Sequence, residues 1–144
     1  VCPAHHAPAA PSFEAFAYTV PQADAAPSFV LSGGGDARPG AAPYAERIVR
    51  FGETSPDAMR EKGRFVLELM EARLAALGFG WADATAVQAY AVEDLQAVMA
   101  EEIAPRGAAR PGLTWHYARP PVEGLAFEMD VRGVAVERVL HAEG

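Results

Sequence analysis

A short stretch near the C-terminal end contains side chains whose type and spacing could do chemistry. Strand alternation within 113–117 places Thr114 and His116 on one face and the apolar and aromatic side chains on the other. A histidine there could act as an acid or base near neutral pH, or bind an anion when protonated. The alternative is a histidine hydrogen-bonded within a subunit interface.

Three successive glycines, Gly33 to Gly35, form a second chemical feature between Ser32 and Asp36. Glycine permits positive φ and lets a ligand or another backbone come close. The alternative is a plain turn at the end of a hairpin. The sequence has no phosphate loop, nucleophile elbow or zinc helix of the familiar patterns, so the run alone is weak evidence for phosphate binding.

The N-terminal residues offer a possible metal site that we reject. Cys2, His5 and His6 are ligand types, but adjacent histidines cannot easily meet one ion and no carboxylate is nearby in sequence. We therefore expect no metal and a solvated arm.

Length and charge limit the function classes. The chain has 144 residues, 51% hydrophobic and 22% charged, as in one soluble globular domain. Its net charge of −7 disfavours nucleic acid and anionic membrane surfaces as partners. No apolar run is long enough to span a bilayer, and the first residues lack a secretory pattern. With a single cysteine, the sequence predicts a cytoplasmic protein.

Turn signals organise the first third of the chain. Strands at 16–20 and 28–32 predict a hairpin that ends in the glycine run. Residues 36–53 predict a long surface excursion with one short strand at 47–51. Because this excursion leaves directly from Ser32 and Gly33, we expect it to form a rim of the ligand pocket.

Cap signals then predict a long helix. Ser55 supplies an N-cap, Pro56 suits the first helical position, Asp57 complements the positive helix end, and Gly78 marks the C-terminal cap. Apolar residues recur at helical spacing, so one face should dock on a sheet. These residues are Met59, Val66, Leu69, Met70, Leu74 and Leu77.

The remaining elements complete an α+β pattern. A buried strand at 84–92 precedes a second helix capped by Asp94, and strands follow at 113–117 and 125–136. The apolar stripe of the second helix comprises Leu95, Val98, Met99 and Ile103. This order predicts one sheet with two helices on one face. The apolar content of the uncovered face suggests self-association.

Five short segments between Tyr18 and Val134 have a characteristic order and spacing. They are FVLSG at 29–33, LAALG at 74–78, YAVED at 90–94, ARPP at 118–121 and FEMD at 127–130. Together they resemble the Rid/YjgF superfamily of reactive-intermediate deaminases, also labelled endoribonuclease L-PSP.

This resemblance implies a chorismate-mutase-like α+β fold that assembles as a homotrimer, with ligand pockets in clefts between subunits. It implies a RidA-like domain over 16–144, preceded by an irregular arm at 1–15. Active family members hydrolyse enamines and imines, such as 2-aminoacrylate released by pyridoxal-phosphate enzymes, to a keto acid and ammonia. They use no cofactor, so the implied partner is a small molecule.

The resemblance also implies roles for individual residues. Glu128 matches the family's water-positioning glutamate, and a carboxylate can orient water and shuttle its proton. Ser32 and Gly33 match a Ser-Gly pair whose backbone approaches the ligand. Tyr18 lies close to the family's pocket tyrosine, with Thr19 as a rival because the register is offset.

One family residue is missing. The family's carboxylate-binding arginine falls at Gly112, and this departure argues against the 2-aminoacrylate activity because arginine orients carboxylates strongly. Thr114 and His116 share the face of Gly112. Arg119 and Arg110 are candidate replacement anchors, although each also suits a surface salt bridge.

Two functions from different classes follow. The first is a cofactor-free imine or enamine deaminase in which Glu128 positions water and His116 or Thr114 assists. The second is a non-catalytic trimeric ligand-binding or regulatory protein, which Gly112 favours. Ribonuclease activity is disfavoured by the negative charge and the lack of a basic, aromatic-lined groove.

Overall fold

Strands form the frame of the part of the chain that the structure, a computed structural model, describes: residues 1–13 and 15–139. The strands are β1 (Cys2–Pro3), β2 (Phe29–Gly35), β3 (Ala86–Tyr90), β4 (Leu113–His116), β5 (Ala118–Arg119) and β6 (Glu128–Gly133). The main sheet has the order β2, β6, β3, β4, and β1 pairs with β5. All pairs are antiparallel except β3 with β4, which are parallel.

Helices cover one side of the main sheet. They are α1 (Tyr44–Arg47), α2 (Pro56–Ala76) and α3 (Gln96–Val98), which continues as a π-helical segment at Met99–Ile103. The helix α2 packs on β2 and β6, and α3 packs against α2. One apolar core joins both helices to the sheet. The α+β prediction is therefore confirmed.

The long helix begins and ends where its cap signals predict. The Oγ of Ser55 accepts a hydrogen bond from the backbone N–H of Ala58 at 3.3 Å, and Gly78 has a φ of +81°. At the α2–α3 contact, a Cβ on Gly63 would overlap Val98, so this glycine lets the helices approach closely. None of the helices in the described ranges is both long and apolar enough to cross a bilayer.

The predicted N-terminal hairpin is wrong. Residues 16–20 form no strand, and Phe16, Tyr18 and Val20 are all exposed. The structure pairs them with no strand: β2 is an edge strand of the main sheet, and β6 is its one neighbour among the described residues. The second strand of the proposed hairpin is confirmed as β2, which runs on through Gly35.

The short strand predicted at 47–51 is also wrong. Residues 44–47 form α1, and Ile48 makes only an isolated bridge with Ala37. The Arg47 side chain closes this loop by donating hydrogen bonds to the carbonyl oxygens of Ala42 at 2.7 Å and Arg38 at 2.8 Å. A compact loop therefore replaces the strand.

Two burial predictions also need correction. Met99 is 38% exposed instead of joining the α3 stripe, because the π-helical turn begins at Met99 and changes the helical phase. The uncovered face of the sheet is mainly polar instead of apolar. It presents Gln88 and Tyr90 from β3 and Glu128, Asp130 and Arg132 from β6.

A buried ion pair joins four parts of the fold. Lys62 of α2, the one lysine in the chain, donates to Asp36 at 2.7 Å, and the two side chains are 1% and 0% exposed. Lys62 also donates to the carbonyl oxygen of Val49. The other carboxylate oxygen of Asp36 accepts from the backbone N–H groups of Ala126 and Phe127, directly before β6. Asp36 therefore fixes the end of β2 relative to α2, the excursion and the start of β6.

Replacing Lys62 with Met should lower the free energy of unfolding by about 3–5 kcal/mol, since it leaves a buried carboxylate without its cation. The measurement is urea unfolding at neutral pH. The matched control is Glu61→Gln at the neighbouring exposed position, which should change stability by less than about 0.5 kcal/mol. Equal effects of the two substitutions would contradict the proposed importance of the pair.

Candidate active site

Three side chains lie side by side on the uncovered face of the main sheet. In the strand register, Tyr90 of β3 stands opposite Glu128 of β6 on one side and His116 of β4 on the other. The rings of Tyr90 and His116 stack with their centroids 4.8 Å apart. Glu128 and His116 therefore belong to one row across the sheet, with Tyr90 between them. Their strands are two inter-strand spacings of about 4.8 Å apart.

The carboxylate of Glu128 sits in a space that a glycine provides. A Cβ added to Gly33 would overlap Glu128 Oε1, so a side chain at position 33 would displace the carboxylate. The other oxygen, Oε2, is buried and has no hydrogen-bond partner among the described residues. The site therefore has a buried carboxylate oxygen with free capacity to accept a hydrogen bond.

Burial raises the pKa of Glu128 above the usual range of a glutamate. The nearby carboxylates of Asp130 and Asp36 push the pKa in the same direction. Desolvation is the largest cause. A carboxyl group with a raised pKa is a stronger proton acceptor than an ordinary glutamate and can return the proton it accepts.

Tyr90 is held in place by polar neighbours. Its hydroxyl donates to Asp130 Oδ2 at 2.6 Å, and the Gln88 amide donates to the hydroxyl while accepting from Arg132 at 3.0 Å. Burial, together with the Asp130 hydrogen bond, raises the pKa of Tyr90 well above its usual range. Tyr90 therefore stays a neutral phenol beside Glu128.

An open cleft of about 300 Å³ lies next to Glu128 at the glycine bulge of β2. Three arginines line it: Arg38 and Arg47 from the excursion and Arg73 from α2. No carboxylate of the described residues lies within salt-bridge distance of any of the three. The cleft is thus locally cationic in a chain whose net charge is −7.

Some predicted site residues lie in or beside this cleft. Glu128 and Gly33 line it together, and the excursion borders it as expected. Ser32 is exposed at the start of the bulge. His116 shares the row of Glu128, while Thr114 lies opposite Gln88 in the next row. His116 and Thr114 are therefore on the same face of the sheet as Glu128 but not in contact with it.

Other predicted site residues lie elsewhere. Tyr18 lies in the irregular chain before β2, is 74% exposed, and stacks on Phe16 instead of contacting the site residues. Gly112 lies directly before the first residue of β4, whereas His116 is the last residue of that strand. Arg119 lines an adjoining cleft of about 290 Å³, which shares Val122 and Leu125 with the first, and Arg110 is exposed outside both. The structure thus does not bring the two proposed replacement anchors to Glu128.

The sequence analysis missed the three cleft arginines and Tyr90. Leu69 and Arg73 are four residues apart on α2 and line the cleft together, so helical spacing could have indicated Arg73. Arg38 and Arg47 meet only because the excursion folds into a loop, for which the sequence holds no pairing signal. Tyr90 could have been identified from the alternation of β3.

Comparisons with known proteins identify relatives. The family model described as CnbZ, 2-aminomuconate deaminase, matches residues 1–138. A curated relative, the 2-amino-5-chloromuconate deaminase of Comamonas testosteroni, is 56% identical over 142 residues, which is 97% of this chain. The chain spans only 57% of the length of that relative.

Solved structures show the same fold. A protein of Klebsiella pneumoniae described as an endoribonuclease matches with a TM-score of 0.53 at 16% identity, over 74% of this chain and 91% of its own. A Rid-family protein of Yersinia pestis matches equally well over 74% of this chain and 77% of its own. The resemblance to the Rid/YjgF superfamily is thereby confirmed at the level of the fold.

Replacing Gly33 with Ala should lower the pKa of Glu128 toward that of an exposed glutamate, because the displaced carboxylate becomes better solvated. The melting temperature should change little, since the overlap involves the end of a flexible side chain. Carboxyl ¹³C NMR titration measures the pKa. The matched control is Gly80→Ala, where an added Cβ meets open space. An unchanged pKa in Gly33→Ala would contradict the role assigned to this glycine.

Proposed function

Because this chain belongs to the CnbZ 2-aminomuconate deaminase family, we propose that it hydrolyses the carbon–nitrogen bond of an aminomuconate-type imine or enamine and releases ammonia. The observation that carries the proposal is the half-buried Glu128 side chain, which borders an arginine-lined cleft and whose buried Oε2 has no hydrogen-bond partner among the described residues. The deaminase name of the curated relative supports the same chemistry.

In this proposal, Glu128 holds and activates the attacking water. The water oxygen bonds to the imine carbon, the π electrons move to nitrogen, and the carboxylate accepts a proton from the water. Glu128 then returns the proton to nitrogen, which gives a carbinolamine. The carboxylate next accepts the proton of the new hydroxyl and passes it to the amino nitrogen, so that the carbonyl forms as the carbon–nitrogen bond breaks. One water is consumed and both of its hydrogens leave on ammonia. An enamine enters the same route after a proton moves from its nitrogen to carbon.

The neighbouring residues assist by position. Tyr90 keeps a neutral hydroxyl beside Glu128, and its raised pKa prevents it from competing as a base. His116 and Thr114 act, in this proposal, at a distance along the uncovered face, where an extended substrate or a second subunit would meet them. None of these steps is routed through a metal or a cofactor.

We extend the proposal to a homotrimer that binds its small-molecule ligand between subunits. The uncovered sheet face has many polar groups, and the chain before β2 exposes Phe13, Phe16 and Tyr18. A neighbouring copy would cover both. This assembly is the one that the Rid/YjgF resemblance implies.

Ammonia release from 2-aminomuconate, measured above the spontaneous rate, tests the proposed function. Glu128→Gln should lower kcat by about 100-fold or more, because proton transfer by a positioned side chain typically contributes this much. Glu61→Gln, an exposed carboxylate on α2, is the matched control and should keep the wild-type rate.

The pH dependence gives a further readout of the same experiment. The ionised carboxylate is the active form, so kcat/KM should fall as the pH drops through the raised pKa of Glu128. The midpoint should lie above the value of about 4.3 for an ordinary glutamate. Wild-type activity in Glu128→Gln would overturn the mechanism. Saturable binding without ammonia release would instead support the ligand-binding alternative.

A further inference from the structure

We propose that Arg38 and Arg73 are the carboxylate anchors of this cleft and that they make the protein select dicarboxylates over monocarboxylates. The inference rests on the proposed function for its substrate class, because an aminomuconate has a carboxylate at each end.

Arg38 and Arg73 have donors to spare. Neither side chain donates a hydrogen bond to any described residue. By contrast, Arg50, Arg60, Arg64, Arg106 and Arg132 all pair with carboxylates. A guanidinium presents five N–H donors in a plane that matches a carboxylate, so a free one inside a cleft suits a carboxylate ligand.

Arg47 acts as a positioning residue for Arg38. Its Nη1 donates to the Arg38 carbonyl oxygen at 2.8 Å, and the Arg38 backbone N–H donates to the Arg47 carbonyl oxygen at 2.9 Å. The Arg47 guanidinium also lies 4.1 Å from the centroid of the Tyr44 ring. Because Nε and Nη1 of Arg47 donate to the loop and its guanidinium packs on Tyr44, we assign it the shaping of the cleft and leave the anchoring of the ligand to Arg38 and Arg73.

Local packing also orients the two anchors. The Arg38 guanidinium lies over the Phe65 ring at 5.9 Å from its centroid, which holds one face and leaves the N–H edge open. Arg73 Nη1 lies 3.2 Å from the place where a Cβ of Gly34 would be. The glycine bulge therefore makes room both for Glu128, through Gly33, and for Arg73.

The charges of the cleft match a dianion. Its three arginines and one ionised glutamate give a local net charge of +2. A compound with two carboxylates neutralises this charge, whereas a compound with one carboxylate leaves part of it unpaired. Selection of dicarboxylates follows, because an unpaired charge inside a cleft is costly.

The test compares the binding of muconate and sorbate, two unreactive dienes that differ by one carboxylate, using isothermal titration calorimetry on the protein. Muconate should bind at least about tenfold more tightly than sorbate. Arg38→Ala and Arg73→Ala should each weaken muconate binding by about 10- to 100-fold and reduce the preference over sorbate. Arg73→Lys should recover part of the loss, because lysine keeps the charge but not the planar fork.

Arg110→Ala is the matched control, since Arg110 is exposed outside the cleft. It should bind muconate as the wild type does, and melting temperatures should show that every variant is folded. Equal affinity for muconate and sorbate would overturn the inference, as would unchanged muconate affinity in both alanine variants. An effect confined to Arg119→Ala would also overturn it, by placing the anchor in the other cleft.

Failure of this inference and failure of the proposed function are distinguishable. If ammonia release persists with an unchanged KM in Arg38→Ala and Arg73→Ala, the assignment of the two anchors is wrong and the proposed deaminase function still holds. If muconate binding depends on the two arginines but no ammonia is released, the anchors are correctly assigned and the proposed deaminase function is wrong. Where both hold, the two variants should raise KM for 2-aminomuconate by about 10- to 100-fold with a small change in kcat, because the anchors bind ground state and transition state alike.

Discussion

The buried ion pair between Asp36 and Lys62 is the constraint on which the rest of this structure depends. It joins α2 to the end of β2, and the second oxygen of Asp36 holds the backbone immediately before Glu128. A buried charge is tolerated only when its partner is fixed, so the pair holds these segments in one arrangement. The cleft exists because a glutamate from one segment and arginines from two others are assembled around this pair.

The site combines a carboxylate whose partial burial is energetically unfavourable with a cleft that a ligand can enter. The side chain of Glu128 is half-buried, and desolvation raises its pKa. Its Oε2 is buried without a hydrogen-bond partner among the described residues and is free to accept from a water or a substrate group. Gly33 makes this possible by admitting the carboxylate, and Gly34 lets Met70 and Arg73 of α2 approach the same bulge closely. The arginines of the cleft can bind an anionic ligand next to the carboxylate of Glu128, which accepts the proton. Hydrolysis of an anionic imine fits this combination.

Sequence signals between neighbouring residues, such as helix caps, predicted the elements that are held together by short-range contacts. Ser55 and Gly78 correctly marked α2. The resemblance pointed to Glu128 and Gly33, and the structure places these two side by side at one cleft. The strand assigned around Tyr18 failed because alternation does not reveal whether a pairing partner exists. Arg38 was missed because its place depends on hydrogen bonds between loop residues distant from any periodic pattern. Arg119 was attractive by sequence position alone and lies in another cleft.

The central claim is that Glu128 activates water at the cleft bordered by the glycine bulge. A crystal structure of the Glu128→Gln variant with unreacted 2-aminomuconate tests this claim most directly. We expect the nitrogen-bearing carbon to face the side chain at position 128 with a water between them, and a carboxylate to lie on Arg38 or Arg73. Substrate bound at the Gly112 end of the sheet, away from position 128, would contradict the account.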